Sequence, residues 1–187
     1  MTEQITEGGI TYQIETNEDG SKFWNLNGNR HRVDGPACEY ASGSKLWYLN
    51  GKYHRVDGPA VERANGSKEW FLNGNRHRVD GPACEWADGS KHWWLNGERH
   101  RVDGPAYEDA NGSKEWFLNG EKHRVDGPAV EHANGHKSWY LNGEKLTEKE
   151  FKEFRKQVDE LKQNPIDAPL YLHHKHLGFV AKEILEA

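Results

Sequence analysis

Sulfur is nearly absent from this chain: its 187 residues include two Cys and one Met. Two cysteines make no disulfide framework, so no covalent staple holds the fold. Long apolar runs are missing as well. No stretch approaches the roughly 18 apolar residues that a transmembrane helix needs. The N-terminus, MTEQITEGGI, is acidic and has no apolar core, so no secretory signal is expected. Net positive charge is lacking too. The formal balance is −5 with a pI of about 6.1, which argues against generic nucleic-acid binding. Hydrophobic residues reach only 34%, and a mean hydropathy of −1.04 leans toward disorder.

Aromatic side chains and glycine are present in strength: 8 Trp, 7 Tyr, 6 Phe and 20 Gly. That combination points to a thin β structure rather than a disordered tail. A tandem repeat of 23 residues explains it. From Gly20 the chain reads GSKFWNLNGNRHRVDGPACEYAS, then GSKLWYLNGKYHRVDGPAVERAN; three more copies follow, and a sixth stops after GHKSWYLNGEKL. Trp recurs at 24, 47, 70, 93, 116 and 139, and HRVDGPA begins at His31, His54, His77, His100 and His123. Residues 1–19 carry five acids and no base, and 147–187 carry eight acids and seven bases, which leaves the repeats nearly neutral.

Each repeat has two hairpin signals, Asn-Gly (Asn50-Gly51) and a second pair such as Ser42-Gly43, Asn65-Gly66 or Asp88-Gly89. Read as two-residue turns, they fix the pairing. Across Asn50-Gly51, Leu49 faces Lys52, Tyr48 faces Tyr53 and Trp47 faces His54. Across Ser42-Gly43, Cys38 faces Trp47, Ala37 faces Tyr48 and Glu39 faces Leu46. One sheet face then collects Trp47, Leu49, Val56, Cys38 and His54 as a core. The other collects Tyr48, Ala37, Ala41, Arg55 and Glu39. The 13-residue interval containing Asp-Gly-Pro is read as a bent strand whose two halves pair in opposite directions.

The period, the aromatic strand, Asn-Gly, the basic-His stretch and the closing Asn/Asp-Gly together resemble the MORN repeat family over roughly residues 20–146. HRVDGPA stands where that family has His-Gly and a second Gly, and tandem HRxDGPA repeats also look like those of bacteriophage and large-virus proteins. The resemblance implies an elongated antiparallel β-meander acting as a scaffold or binding surface, with lipid binding also proposed for the family. The expected fold is therefore mainly β. Residues 1–19 form a degenerate cap with a strand at 10–15, 20–146 the array, and 147–187 a helical cap. In that cap Thr147 to Glu150 is a capping box, Phe151, Phe154, Val158 and Leu161 share one helical face, Asn164-Pro165 ends the helix, and a second helix follows over about 177–186.

No cofactor, metal site or catalytic centre is expected. A catalytic centre is needed once, whereas His and Asp of HRVDG recur five times, about 10 Å apart. Asp is expected to accept backbone N–H groups in the Gly-Pro turn, and His to pack on Trp. Cys38 and Cys84, four strands or about 19 Å apart, are too distant for a disulfide and indicate a reducing, cytoplasmic setting. His173, His174 and His176 have no Cys or acidic ligands at suitable spacing. Glu39, Glu62, Glu85, Glu108 and Glu131 neutralise the row Arg32, Arg55, Arg78, Arg101 and Arg124. The candidate partner-binding stripe is Tyr48, Phe71, Trp94, Phe117 and Tyr140 with Arg76, Arg78, Arg99 and Arg101, because aromatics with Arg are typical of interface hot spots. The expected function is non-enzymatic capture of a protein partner along one sheet face. If the viral resemblance holds, that partner is a host defence or metabolic factor in the host cytosol, and the effect is inhibition. A sponge for a phosphorylated small ligand and a lipid-surface scaffold are the alternatives, and homo-oligomers could form through sheet edges or the C-terminal helix.

Overall fold

Six Asn-Gly pairs set the geometry of the chain. Asn27, Asn50, Asn73, Asn96, Asn119 and Asn142 all lie at φ between 47° and 53°, each followed by a glycine at positive φ. This is the type I′ turn, whose twist matches that of the strands it joins. Tyr48 accordingly pairs with Tyr53 and Leu49 with Lys52. The computed structural model describes residues 1–171 and 175–178. Among them the protein is mainly β: a long antiparallel meander of 14 strands, with four small two-stranded ribbons beside it and one α-helix near the C-terminus.

The second turn differs from expectation by one residue. Gly43 is left-handed at φ 92°, while Ser42 is not. Tyr40 N–H donates to the Ser44 carbonyl at 2.9 Å, and Gly43 N–H to the Tyr40 carbonyl at 2.8 Å. The loop is thus Ala41-Ser42-Gly43, a three-residue type I turn closed by a left-handed glycine. Cys38 pairs with Leu46 and Glu39 with Lys45, not with Trp47 and Leu46. Because side chains alternate along a strand, this slip moves Cys38 to the face opposite Trp47.

The 13-residue interval is not one bent strand either. Its ends pair in opposite directions as expected, Lys52–Tyr53 backward with Tyr48–Leu49 in the expected register, and Val61–Glu62 forward with Lys68–Glu69, one residue out of it. Residues 54–60, the HRVDGPA segment, form a loop between them. Pro59 has no N–H to offer a ladder. Val56, expected in the core, lies on this loop and is 83% exposed. Trp47 marks the junction between sheet and ribbon: its N–H donates to the Ala60 carbonyl at 2.8 Å, and its carbonyl accepts from His54 N–H at 3.1 Å.

Two rows of hydrogen bonds stitch each repeat to the next. Asn50, Asn73, Asn96, Asn119 and Asn142 each donate their backbone N–H to Nδ1 of the histidine 19 residues earlier, at 3.0–3.2 Å. The five repeat histidines therefore cap the neighbouring Asn-Gly turns, a role that packing on Trp did not anticipate. At the second turns, the backbone N–H groups of Ala41, Ala64, Ala87, Ala110 and Ala133 donate to the hydroxyls of Ser21, Ser44, Ser67, Ser90 and Ser113, all at 3.0 Å. Between the two rows lie Ala37, Ala60, Ala83, Ala106 and Ala129, all fully buried.

Both ends are capped. Strand β1 (Thr2–Glu7), polar and unrecognised in the sequence, pairs along its whole length with β2 (Ile10–Thr16) through a Gly8-Gly9 turn. Tyr12 and Ile14 of β2 join Trp24 and Ala37 in the first core cluster. At the other end, helix α1 (Glu148–Gln163) begins at the expected capping box, with reciprocal bonds between Thr147 and Glu150. Phe151, Phe154, Val158 and Leu161 are buried beneath it, and a 3-10 turn spans Pro165–Tyr171. The second helix expected over about 177–186 lies almost wholly outside the described residues, as do His173 and His174.

Candidate binding surface

The arginine of HRVDGPA is the hub of each repeat. The guanidinium of Arg78 stacks on Trp70, 4.0 Å from the ring centre. Its Nε donates to Asp80 at 2.9 Å, and its Nη1 donates to the Pro82 carbonyl at 3.2 Å and to Glu85 at 2.9 Å. Arg55, Arg101 and Arg124 repeat the pattern on Trp47, Trp93 and Trp116. Arg32 stacks on Trp24 but takes Glu7 of the cap instead of Asp34. The Asp carboxylates thus bind arginine rather than turn N–H groups. That contact is the main reason Asp57, Asp80 and Asp103 are held below the usual aspartate range.

This hub also accounts for the glycine of Asp-Gly-Pro. Gly81 is not at positive φ, but a Cβ there would come 3.0 Å from the Arg78 guanidinium carbon. Trp47, expected to be buried between Cys38 and His54, is half-buried and lies under Arg55. Arg55 and Glu39 therefore belong to the tryptophan side, the reverse of the expected face assignment.

The predicted stripe forms a continuous stack, though not an uncovered one. Tyr48 meets Tyr53 at 4.4 Å between ring centres, and Tyr53 meets Phe71 at 5.0 Å. Arg76 then lies between Phe71 and Trp94, at 5.3 and 5.5 Å. Arg99 lies between Trp94 and Phe117, and Lys122 between Phe117 and Tyr140. Phe71 and Phe117 are buried, and Tyr48, Trp94 and Tyr140 half-buried. Arg78 and Arg101 are not part of this stack; they belong to the tryptophan side.

A regular row of exposed apolar side chains lies on the HRVDGPA loops. Val56, Val79 and Val102 are 82–83% exposed and Val33 is 54% exposed. Each loop overhangs a groove toward the next repeat. The groove at Val79 is floored by Trp93 and Leu95, walled by His100 and Arg101, and encloses about 590 Å³. Its counterparts at Val33, Val56 and Val102 enclose about 810, 520 and 570 Å³. Sequence reasoning missed this row because an alternating pattern was continued through the loop. The Gly-Pro pair was the available sign that the valines leave the sheet.

Cys84 pairs across the sheet with Glu69 on one side and His92 on the other. Burial pushes the Cys84 thiol up to about 11, and burial together with Arg99 and Arg76 lowers His92. Glu69 is 2% exposed and holds Arg63 and Arg76 at 2.9 and 2.8 Å. Among the described residues, no group of three or more His, Cys, Asp or Glu could hold a metal ion, and no helix is long and apolar enough to cross a membrane. No protein-family model matches this chain, and no curated protein does.

Proposed function

We propose that the protein is a non-enzymatic binding scaffold that takes a protein partner along the loop side of its array. The observation that supports this most is the row of exposed valines over open grooves. An exposed apolar row beside open grooves favours a contact site. The resemblance to MORN repeats supports a scaffold as well, and the viral resemblance supports a host factor as the target. The two buried free cysteines agree with a reducing, cytosolic setting. A phosphorylated ligand is less well served, because Nε and Nη1 of the stacked arginines are already engaged by Asp, Glu and Pro groups.

The reading moves the contact surface from the stripe of Tyr48, Phe71, Trp94, Phe117 and Tyr140 to the loops. Native mass spectrometry of the chain isolated from its own cells tests it. A second polypeptide should accompany the protein and be lost from a Val79→Asp, Val102→Asp variant with an unchanged thermal melt. A bound small mass, or a partner indifferent to these substitutions, would refute the reading.

A further inference from the structure

The fifth groove of the array is already filled, and its occupant is part of the chain. Two periods beyond Val79, Trp93, Leu95 and His100 stand Val125, Trp139, Leu141 and Leu146. These four pack against the apolar face of α1. Leu141 is buried where Leu49, Leu72, Leu95 and Leu118 are half-buried, and Val125 is half-buried where Val79 and Val102 are exposed. The Phe151 ring lies 6.5 Å from Trp139, and Arg155 Nη1 donates to the Val125 carbonyl at 2.9 Å. Thr147 replaces the arginine that stacks on tryptophan in the other repeats. The protein thus shows, on one copy of its groove, which kind of element covers that groove.

We infer that the open grooves at Val33, Val56, Val79 and Val102 take an amphipathic helix of the protein partner. That helix carries two aromatic or bulky apolar residues three positions apart and a basic residue one turn after the first. This rests on the scaffold reading and specifies its ligand. The aromatic pair takes the place of Phe151 and Phe154 over the valine and leucine. The basic residue takes the place of Arg155 beside the valine carbonyl. The rim favours a basic helix, because Asp57, Asp80 and Asp103 are highly exposed on the loops that border the open grooves. The stacked arginines remain in place, since the grooves keep their volume with those side chains present.

A peptide with the sequence of residues 147–163 is a probe that already covers one copy of the groove. It is added to the full chain while the valine methyl groups are followed by NMR. The methyls of Val56, Val79 and Val102 should shift and saturate. A peptide carrying Phe151→Ser and Phe154→Ser should bind at least about tenfold more weakly, the loss expected for truncating two aromatic anchors. Val79→Asp in the protein should silence its own groove and leave Val56 responsive, which separates binding from unfolding. No shift at about 1 mM peptide, the weak end of specific affinity, overturns the inference. Shifts confined to Val125 and the Trp139 ring overturn it too, since the peptide has then only replaced α1. Either failure, with partner capture still dependent on Val79 and Val102, would leave the scaffold reading standing with a ligand of other chemistry.

Discussion

The arginine hub puts one residue in charge of four contacts, and its neighbours inherit their importance from it. Gly81→Ala should destabilise by about 1–2 kcal/mol, as a small overpacking change does, because the Arg78 guanidinium is held by Trp70, Asp80, Pro82 and Glu85 and cannot swing clear. Thermal unfolding measures this, and a neutral result would mean that the stack is loose. Asp80→Ala should change little, as for other exposed ion pairs. Its lowered pKa still has a consequence. A carboxylate held lower in the folded state contributes stability above its unfolded value of about 3.9. That contribution, multiplied over Asp57, Asp80 and Asp103, disappears as the pH falls through the lowered values. The melting temperature should therefore decline below about pH 4, less so in a variant lacking all three aspartates. Cys84, buried with its thiol raised to about 11, should resist alkylation at pH 8 until the protein unfolds.

At the scale of the element, the hairpins show what was legible and why. Asn-Gly predicts its turn because both residues tolerate positive φ, and six such turns formed with the expected pairing. The second turn misled because Ser-Gly, Asn-Gly and Asp-Gly fit two loop lengths. A two-residue loop and a three-residue loop ending in left-handed glycine leave the same sequence trace, and only the hydrogen bonds between Tyr40 and Ser44 distinguish them. One residue of error then carried Cys38 and Glu39 to the wrong faces, and Arg55 was misplaced because residues 54–60 leave the sheet as a loop. Helix α1 was legible in full, because its capping box and its 3.6-residue period are both local. Strand β1 was not, because its pairing with β2 supplies what its polar sequence does not advertise. Gly89 tests the loop assignment. It lies at φ 94° with open space around its Cα, so Gly89→Ala should cost about 1–2 kcal/mol from left-handed backbone strain alone. A smaller loss would mean that the loop relaxes to another turn.

The whole molecule is a line of equal steps. At about 4.8 Å per strand, the 14-strand meander extends about 60 Å, and small-angle scattering should show an elongated particle. Removing the 23 residues from Gly66 to Asp88 should leave a folded, shorter and weaker protein, as nearest-neighbour arrays allow. Removing 22 residues should abolish folding, because the histidine and serine bonds that span the seam would miss their partners and the side chains beyond it would change faces. Circular dichroism of the two deletions decides the matter, and equal tolerance would refute the register.

The spans of the stitching bonds carry a consequence for how such a chain can change length. Every histidine cap reaches 19 residues ahead and every serine bond 20, both shorter than the period. Any copied window of one period therefore arrives with acceptors for the unit after it and donors for the unit before it. Unequal exchange between copies in the coding DNA would yield a longer or shorter protein whose seams are chemically complete at birth. The number of open grooves, and with it the valency of the surface, is then a quantity that can be varied in whole steps without redesigning a single contact.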